Sequence, residues 1–378
     1  MSWTDCELGD VVTLKRGHDL PNDRRIDGDI PVVSSSGITG WHNEARAEPP
    51  GVVTGRYGTI GEVFYLDRPY WPLNTALYAI DFHGNDPKFV AYFLRNQLKN
   101  YQSEKAAVPG VDRNVLHKIK VRCPDPQAQE RIVSILSAYD DLIENNRRRI
   151  GLLEKAARLL YREWFVLLRF PGHETAKIVD GLPEGWERMP ASEAMHINPR
   201  TTWKTSEAKL ITMVPMGALS TSGMNCDPSQ FERREQPAGV KFMNGDTLFA
   251  RITPCLENGK TGYVNFLQEG EVACGSTEFV VFRERRISRF MAYLLAREEG
   301  FRKNAITSMV GSSGRQRVQP SCFDKYLVRV PPKPVVEDFD RMVEPMFREI
   351  EHIDKAIAKL TRARDLLLPR LMDGRIPV

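Results

Sequence analysis

Cysteine is scarce and scattered in this chain: 378 residues hold six, Cys6, Cys123, Cys226, Cys255, Cys274 and Cys322, with no C-x-x-C pair. The seven histidines show no H-x-x-x-H spacing, so neither a disulfide framework nor a zinc site is assigned, and the cysteines read as reduced packing residues. No run of about eighteen apolar residues is present, which argues against a membrane-spanning helix. Met1-Ser2-Trp3-Thr4-Asp5 lacks the basic and apolar regions of a signal peptide, and the expectation is a cytoplasmic protein. Catalytic signatures are missing too. There is no P-loop, no H-E-x-x-H and no G-x-S-x-G. Asn198-Pro199-Arg200 stops short of the Asn/Asp-Pro-Pro-Tyr/Phe run with which amino-methyltransferases hold a flipped base. The glycines of Gly55-Arg56-Tyr57-Gly58-Thr59-Ile60-Gly61 lead into a Val/Phe/Tyr strand where a phosphate loop needs a helix, so they read as a hairpin turn. Pro124-Asp125 with Glu130 reads as a helix cap, not a metal site.

What is present is a pair of heptad seams. Ile132, Leu136, Tyr139, Ile143, Asn146, Ile150, Leu153, Ala157, Leu160, Trp164 and Leu167 alternate steps of four and three. The helix they predict starts at the cap Asp125 with Pro126 in its first turn and stops at Pro171-Gly172. At 1.5 Å per residue it is roughly 60 Å long, against about eleven or twelve residues for an average helix. Such a stripe needs cover. Phe339, Val343, Met346, Ile350, Ile353, Ile357, Leu360, Arg364, Leu367 and Leu371 repeat the alternation near the other end, which predicts an antiparallel coiled coil. Pro345 lies in this second helix, where it removes a hydrogen bond and predicts a kink. Of the two polar seam members, Arg364 reads as a solvated position near a frayed end, and Asn146 is a candidate for fixing register.

The remaining segments resemble each other. Thr247-Leu248-Phe249-Ala250-Arg251-Ile252 matches Val52-Val53-Thr54-Gly55-Arg56-Tyr57 in placing an arginine at a strand end. Arg289-Phe290-Met291-Ala292-Tyr293-Leu294-Leu295 lines up with Lys88-Phe89-Val90-Ala91-Tyr92-Phe93-Leu94 at an offset of 201 residues. Val310-Gly311-Ser312-Ser313-Gly314-Arg315 parallels Val108-Pro109-Gly110-Val111-Asp112-Arg113. The chain therefore reads as an α+β protein built by internal duplication. Two mixed domains at 1–123 and 184–332 are each followed by a long helix, at 124–170 and 333–372, with a linker at 171–183 and a tail at 373–378. Leu8 to Gly17 reads as a strand ending in a glycine turn, and Ile30 to His42 as a strand delivering a Ser/Gly loop tipped by Trp41 and His42.

With a formal net charge of +4, composition permits nucleic-acid binding without requiring it. The recognition candidates are loop residues. In the first domain they are Ser34, Ser35, Ser36, Trp41, His42, Arg56, Tyr57 and Arg113. In the second they are Arg251, Thr253, Lys260, Ser308, Ser312, Ser313, Arg315 and Arg317. Arginine reads guanine bidentately, hydroxyls serve phosphates or bases, and glycines let backbone approach a duplex. Taken singly, each is a solvated charge or a turn hydroxyl. The argument is recurrence in two copies. Arg147-Arg148-Arg149 reads either as a solvated helix face or as a phosphate contact on a spacer.

Short motifs in a fixed order then narrow the reading. Pro124, Gln129, Ile132, Leu136-Ser137 and Asp140 open the first long helix, and Trp164-Phe165 with Phe170-Pro171-Gly172 close it. Leu182-Pro183-Glu184-Gly185-Trp186-Glu187 follows, and Leu366-Leu367-Leu368-Pro369-Arg370-Leu371-Met372-Asp373-Gly374-Arg375-Ile376 ends the pattern. Over essentially its full length the chain resembles the specificity (S) subunits of type I restriction-modification systems. The resemblance implies a non-catalytic subunit whose two target-recognition domains each read one half of an interrupted target in double-stranded DNA. The paired helices would set the gap and dock methyltransferase (M) subunits, which carry S-adenosylmethionine, and a motor-nuclease (R) subunit would join for restriction. No cofactor or metal is expected on this chain. Two other classes stay open from the residues alone: a stand-alone nuclease or methyltransferase, and a coiled-coil scaffold that binds protein without DNA specificity.

Overall fold

A computed structural model of the chain describes residues 2–56, 61–99, 111–203, 210–312 and 314–378. The architecture is mixed α/β with two long helices, as the sequence predicts. Contacts divide it into two compact units, Met1–Glu144 with Ala358–Val378, and Asn145–Ile357, so each unit takes in a stretch of both long helices.

The first long helix, Pro126–Tyr161, is continued by a π turn, Arg162–Val166. Its start is built as expected: the Asp125 carboxylate accepts the Ala128 N–H at 2.9 Å, and proline follows the cap. The second runs unbroken from Lys333 to Met372. Pro345 does not end it: that residue and Arg341, whose carbonyl loses its helical partner, are both exposed, so water replaces the missing donor. In the first unit, Ile132 and Leu136 share a core with Leu368, Leu371 and Met372. In the second, Ala157, Tyr161, Trp164 and Phe165 share one with Phe339, Val343, Phe347 and Ile350. Both stretches pair antiparallel. Arg131 meets Val378 and Asp140 meets Arg364 in the first unit, while Arg149 meets Glu349 and Phe165 meets Phe339 in the second. Every predicted seam residue of the first helix is sheltered except Leu167, which is 41% exposed. The π turn explains this: its wider turn shifts the phase, burying the adjacent Trp164 and Phe165 and turning Leu167 outward.

The polar seam members behave differently from each other. Arg364 is not frayed: its side chain is 20% exposed and its Nη1 donates to Asp140 Oδ1 at 2.6 Å. Asn146 is buried and accepts a bond from Arg149 at 3.2 Å.

The duplication is visible in topology. In the first unit an antiparallel sheet has the order Thr13–Arg16, Ala76–Asp81, Gly51–Gly55, Val63–Leu66. In the second the order is Met195–Ile197, Phe279–Glu284, Thr247–Ala250, Thr261–Tyr263. A second sheet in each holds one parallel pair, Ile30–Ser34 with Trp71–Pro72, and Ile211–Val214 with Val272–Gly275. The first strand of each domain pairs with its last, Trp3–Glu7 with Lys120–Pro124 and Glu187–Pro190 with Leu327–Val330. Helices Pro87–Leu98 and Arg289–Arg297 are capped alike, Asp86 accepting from the Phe89 N–H at 2.8 Å and Ser288 from the Met291 N–H at 3.3 Å. One local expectation is corrected. Leu8–Val11 is a helical turn, not strand, because Asp10 accepts the Glu7 N–H and closes a capping box; Ala191–Ala194 is its counterpart.

In the second unit Asp340 of the long helix accepts the Ser288 hydroxyl at 2.6 Å. Burial lifts its carboxyl from 3.8 to about 6; Glu284 and Glu344 push the same way, while the Ser288 bond and Arg289 oppose them. The folded state therefore holds this proton more tightly than the unfolded chain, and stability falls as pH rises from about 4 through about 6. Asp340→Asn keeps an acceptor for Ser288 and removes the buried charge. Thermal melts should show the variant more stable at pH 7.5, by on the order of 1 kcal/mol after solvent screening, with the advantage shrinking at pH 5.

Candidate nucleic-acid interface

The two strand-end arginines are held by matching main-chain bonds. Arg56 donates its N–H to Thr75 O at 3.0 Å and accepts the Val111 N–H at 2.9 Å. Arg251 donates its N–H to Glu278 O at 2.9 Å and accepts the Val318 N–H at 2.8 Å. Thr75 and Glu278 each immediately precede the neighbouring sheet strand. Thus each domain fixes its arginine at the same topological point, where the central strand leaves the sheet and a late loop crosses it. These bonds also align Val111 with Val318, which corrects the sequence match of Arg113 to Arg315. Arg113 opens the helix Arg113–His117, whose counterpart is Cys322–Lys325, whereas Arg315 lies on the preceding loop.

In the first unit, Ser34 to Ser36 form the turn of a hairpin between Ile30–Ser34 and Gly37–His42. Ser34 is 7% exposed; its hydroxyl donates to Gly37 O at 3.2 Å, accepts the Ser36 N–H at 3.1 Å and lies 3.0 Å from Ser36 Oγ. Ser35 is half-buried and Ser36 exposed. Trp41 and His42 are not on a loop: they end the second hairpin strand, paired with Pro31 and Ile30. Strand alternation separates them. Trp41 is 48% exposed, while His42 is 5% exposed, accepts the Ile26 N–H at 3.1 Å and sits edge-on to Trp71 at 5.1 Å. Tyr57 lies outside the described residues.

Sequence reading missed the cations around Trp71. Arg46 stacks on that ring at 4.9 Å, and His18 lies 3.3 Å from the Tyr78 hydroxyl. Burial lowers the His18 pKa, and Lys15 and Arg46 lower it further, which marks the patch as electropositive. Lys15 and Arg16 are exposed on the strand Thr13–Arg16. The signal available was Lys15-Arg16 directly before a glycine turn.

In the second unit the loops around Arg251 and Arg315 form one platform. Thr253 donates both its N–H, at 3.1 Å, and its hydroxyl, at 3.3 Å, to Gln316 O. Arg317 bridges to Ile252 and Val310, and Ser312 O accepts the Arg315 N–H at 3.0 Å. Ser312 and Arg315 are exposed. Arg317 grips Glu278 through Nε and Nη2 at 2.7–3.0 Å, so its charge is partly spent within the platform. The Arg251 Nε is buried without a hydrogen-bond partner among the described residues. Lys260 and Ser308 are structural in their bonding: Lys260 Nζ donates to Met216 O at 3.0 Å, and Ser308 Oγ to Ala305 O at 2.7 Å at a helix end. Ser313 lies outside the described residues. On the long helix, Arg147, Arg148 and Arg149 are exposed, and Arg149 donates to Glu349 at 2.8 Å.

Among the described residues no three His, Cys, Asp or Glu side chains are placed to hold a metal, and no helix is long and apolar enough to cross a membrane. The site is a set of cation- and hydroxyl-bearing loops on two copies of one framework. Residues 1–155 match the family model described as the type I restriction modification DNA specificity domain. The chain is 25% identical over 284 residues to the type I restriction enzyme MjaIX specificity subunit of Methanocaldococcus jannaschii, covering 71% of this chain and 63% of that one. It is 32% identical over 155 residues to the EcoEI specificity subunit of Escherichia coli, covering 40% of this chain and 26% of that one. The chain is thus similar to type I specificity subunits, most strongly over its first 155 residues. Both alignments span less than two thirds of those relatives' length. The fold also matches the crystal structure of a type I restriction-modification S subunit from M. genitalium, with a TM-score of 0.59 and 15% identity, over 98% of this chain and 96% of that one.

The placement of the hairpin pair is open to test. His42→Ala removes the acceptor of the Ile26 N–H and a ring packed on Trp71, and is expected to destabilise the protein by about 1–3 kcal/mol. Trp41→Ala should stay within about 0.5 kcal/mol. Denaturant titration of both variants distinguishes the buried ring from the exposed one.

Proposed function

We propose that this chain is the sequence-specific DNA-recognition subunit of a type I restriction-modification complex. Each domain reads one half of a bipartite, interrupted target in double-stranded DNA. The observation that carries the reading is the pair of arginines, Arg56 and Arg251, anchored by equivalent main-chain bonds beside loops that differ in sequence. An arginine carried on so fixed a stretch of main chain suits bidentate contact with guanine, and nearby hydroxyls and lysines suit phosphates. Because the Ser34-Ser35-Ser36-Gly37 turn and the Pro254 to Lys260 insertion have no counterparts in the other copy, the half-sites are unlike.

The long helices act as the ruler and dock the methyltransferase subunits, which bring S-adenosylmethionine and the chemistry; a motor-nuclease subunit joins for restriction. The chain itself is non-catalytic, carries no cofactor and works in the cytoplasm. One heptad advances about 10.5 Å along a helix, close to three base pairs at 3.4 Å each. Deleting one matched heptad from both helices should therefore shorten the unread gap by about three base pairs and leave both half-sequences intact, as read from the methylated motif in cells. An unchanged gap sinks the ruler.

Selection from a random duplex library, using the chain co-expressed with its methyltransferase partner, tests the reading as a whole. Two unlike blocks at one fixed gap are expected. No enrichment from a stable complex supports instead a scaffold that binds protein without DNA specificity. Within that assay Arg315→Ala should relax one base position at a cost of about 1–3 kcal/mol if it reads a base. A phosphate contact would weaken all sequences alike and lower the salt slope by about 1.

A further inference from the structure

Each recognition domain grips the first long helix through a tyrosine. Tyr92 and Tyr293 occupy matching places on their domain helices, 201 residues apart. Tyr92 donates its hydroxyl proton to Asp140 Oδ2 at 2.6 Å, and Tyr293 donates to Glu154 Oε1 at 2.5 Å. Both carboxylates come from the same helix, 14 residues apart. Each is also held by an arginine, Asp140 by Arg364 at 2.6 Å and Glu154 by Arg158 at 2.6 Å.

The other side of each tyrosine is likewise duplicated. Arg95 lies over the Tyr92 ring at 5.8 Å and donates to Val63 O at 3.1 Å. Arg297 lies over the Tyr293 ring at 5.5 Å and donates to Thr261 O at 2.8 Å. Val63 and Thr261 are the first residues of equivalent edge strands. In the second unit Arg297 also donates to Gly259 O at 2.8 Å and to Gly223 O, while Glu154 Oε2 accepts the Met224 N–H at 3.2 Å. The turn that leads into that edge strand and the Ser220–Met224 segment bonded alongside it are thereby tied to one carboxylate on the helix, directly at Met224 and otherwise through Arg297 and the Tyr293 hydroxyl.

A clasp of this kind is more than is needed for cohesion, since Tyr293 and its neighbours already pack in an apolar core. What hydrogen bonds add to packing is direction: an apolar face can slide or rotate by a fraction of a turn, but a tyrosine hydroxyl on a fixed carboxylate cannot. We propose that Tyr92 and Tyr293 are positioning residues that fix the angle at which each recognition domain sits on its stretch of the first long helix. On the two-reader assignment, from which this follows, they make the gap between half-sites single-valued without touching DNA.

The test uses the full chain in complex with its methyltransferase subunits, with wild type, Tyr92→Phe and Tyr293→Phe compared in the random-duplex selection. Each variant loses one hydroxyl from a ring that stays packed. Tyr293→Phe should keep both half-site sequences while sequences with neighbouring gap lengths rise roughly tenfold in share, the factor that 1.4 kcal/mol makes. A merely structural loss would instead lower recovery of every target together. A single gap held at wild-type stringency overturns the proposal. Should Tyr293→Phe fail to assemble, Tyr92→Phe carries the same test, its carboxylate partner being a third exposed. A wild-type complex that selects no two-block motif refutes the two-reader assignment. Amide exchange in the same samples then decides the clasp: the Met224 N–H should lose protection in Tyr293→Phe, and unchanged protection overturns it.

Discussion

An apolar stripe about forty residues long on a helix cannot stand in water, and that constraint organises this chain. Each long helix covers the stripe of the other, antiparallel, in both compact units. The local consequences are specific. Phe339, Val343 and Ile350 are shut off from solvent against Ala157, Tyr161 and Phe165, and Ile132 and Leu136 are shut off beside Leu368 and Leu371. At the far end of the first helix a π turn places Trp164 and Phe165 side by side in an aromatic cluster with Phe339 and Trp186. Arg329 caps the carbonyl of Val166 there at 2.7 Å.

The buried carboxylates and the seam arginine along the pair are held by specific partners. Arg364 with Asp140, and Glu154 with Arg158, Tyr293 and the Met224 N–H, place charge where unpaired charge would be costly to bury. These groups reach outward from the seam to the domains. Helix packing and domain seating are therefore one problem solved with shared residues.

The helices were legible because a heptad repeat needs no knowledge of its surroundings: spacing alone names the buried face. Strand-end Arg56 and Arg251 were legible because a β-rich run ending in an arginine recurs in both copies. Other features depend on partners distant in sequence. Arg364 looked like a frayed position since nothing local announces Asp140, 224 residues earlier. Tyr92 and Tyr293 were legible only as matched positions of the two copies, because sequence gives no hint of where a hydroxyl points. Glycines 37 and 40 suggested a loop around Trp41 and His42, whereas a two-residue turn folds that stretch back as strand. Arg113 was matched to Arg315 because both follow glycine-containing runs; a hydrogen bond from Val111 to Arg56, and from Val318 to Arg251, moves the alignment by several residues.

Those last bonds have an evolutionary meaning. At residues 56 and 251 the anchor is the peptide unit, N–H on one side and C=O on the other, so it is indifferent to which side chain the codon specifies. Exchange of the arginine leaves the framework's hydrogen bonds in place and changes only what projects beyond them. A lineage can therefore drift through many side chains at these two positions without losing the main-chain bonds that hold them. With two such positions in one chain, each copy can change its side chain without disturbing the bonds of the other.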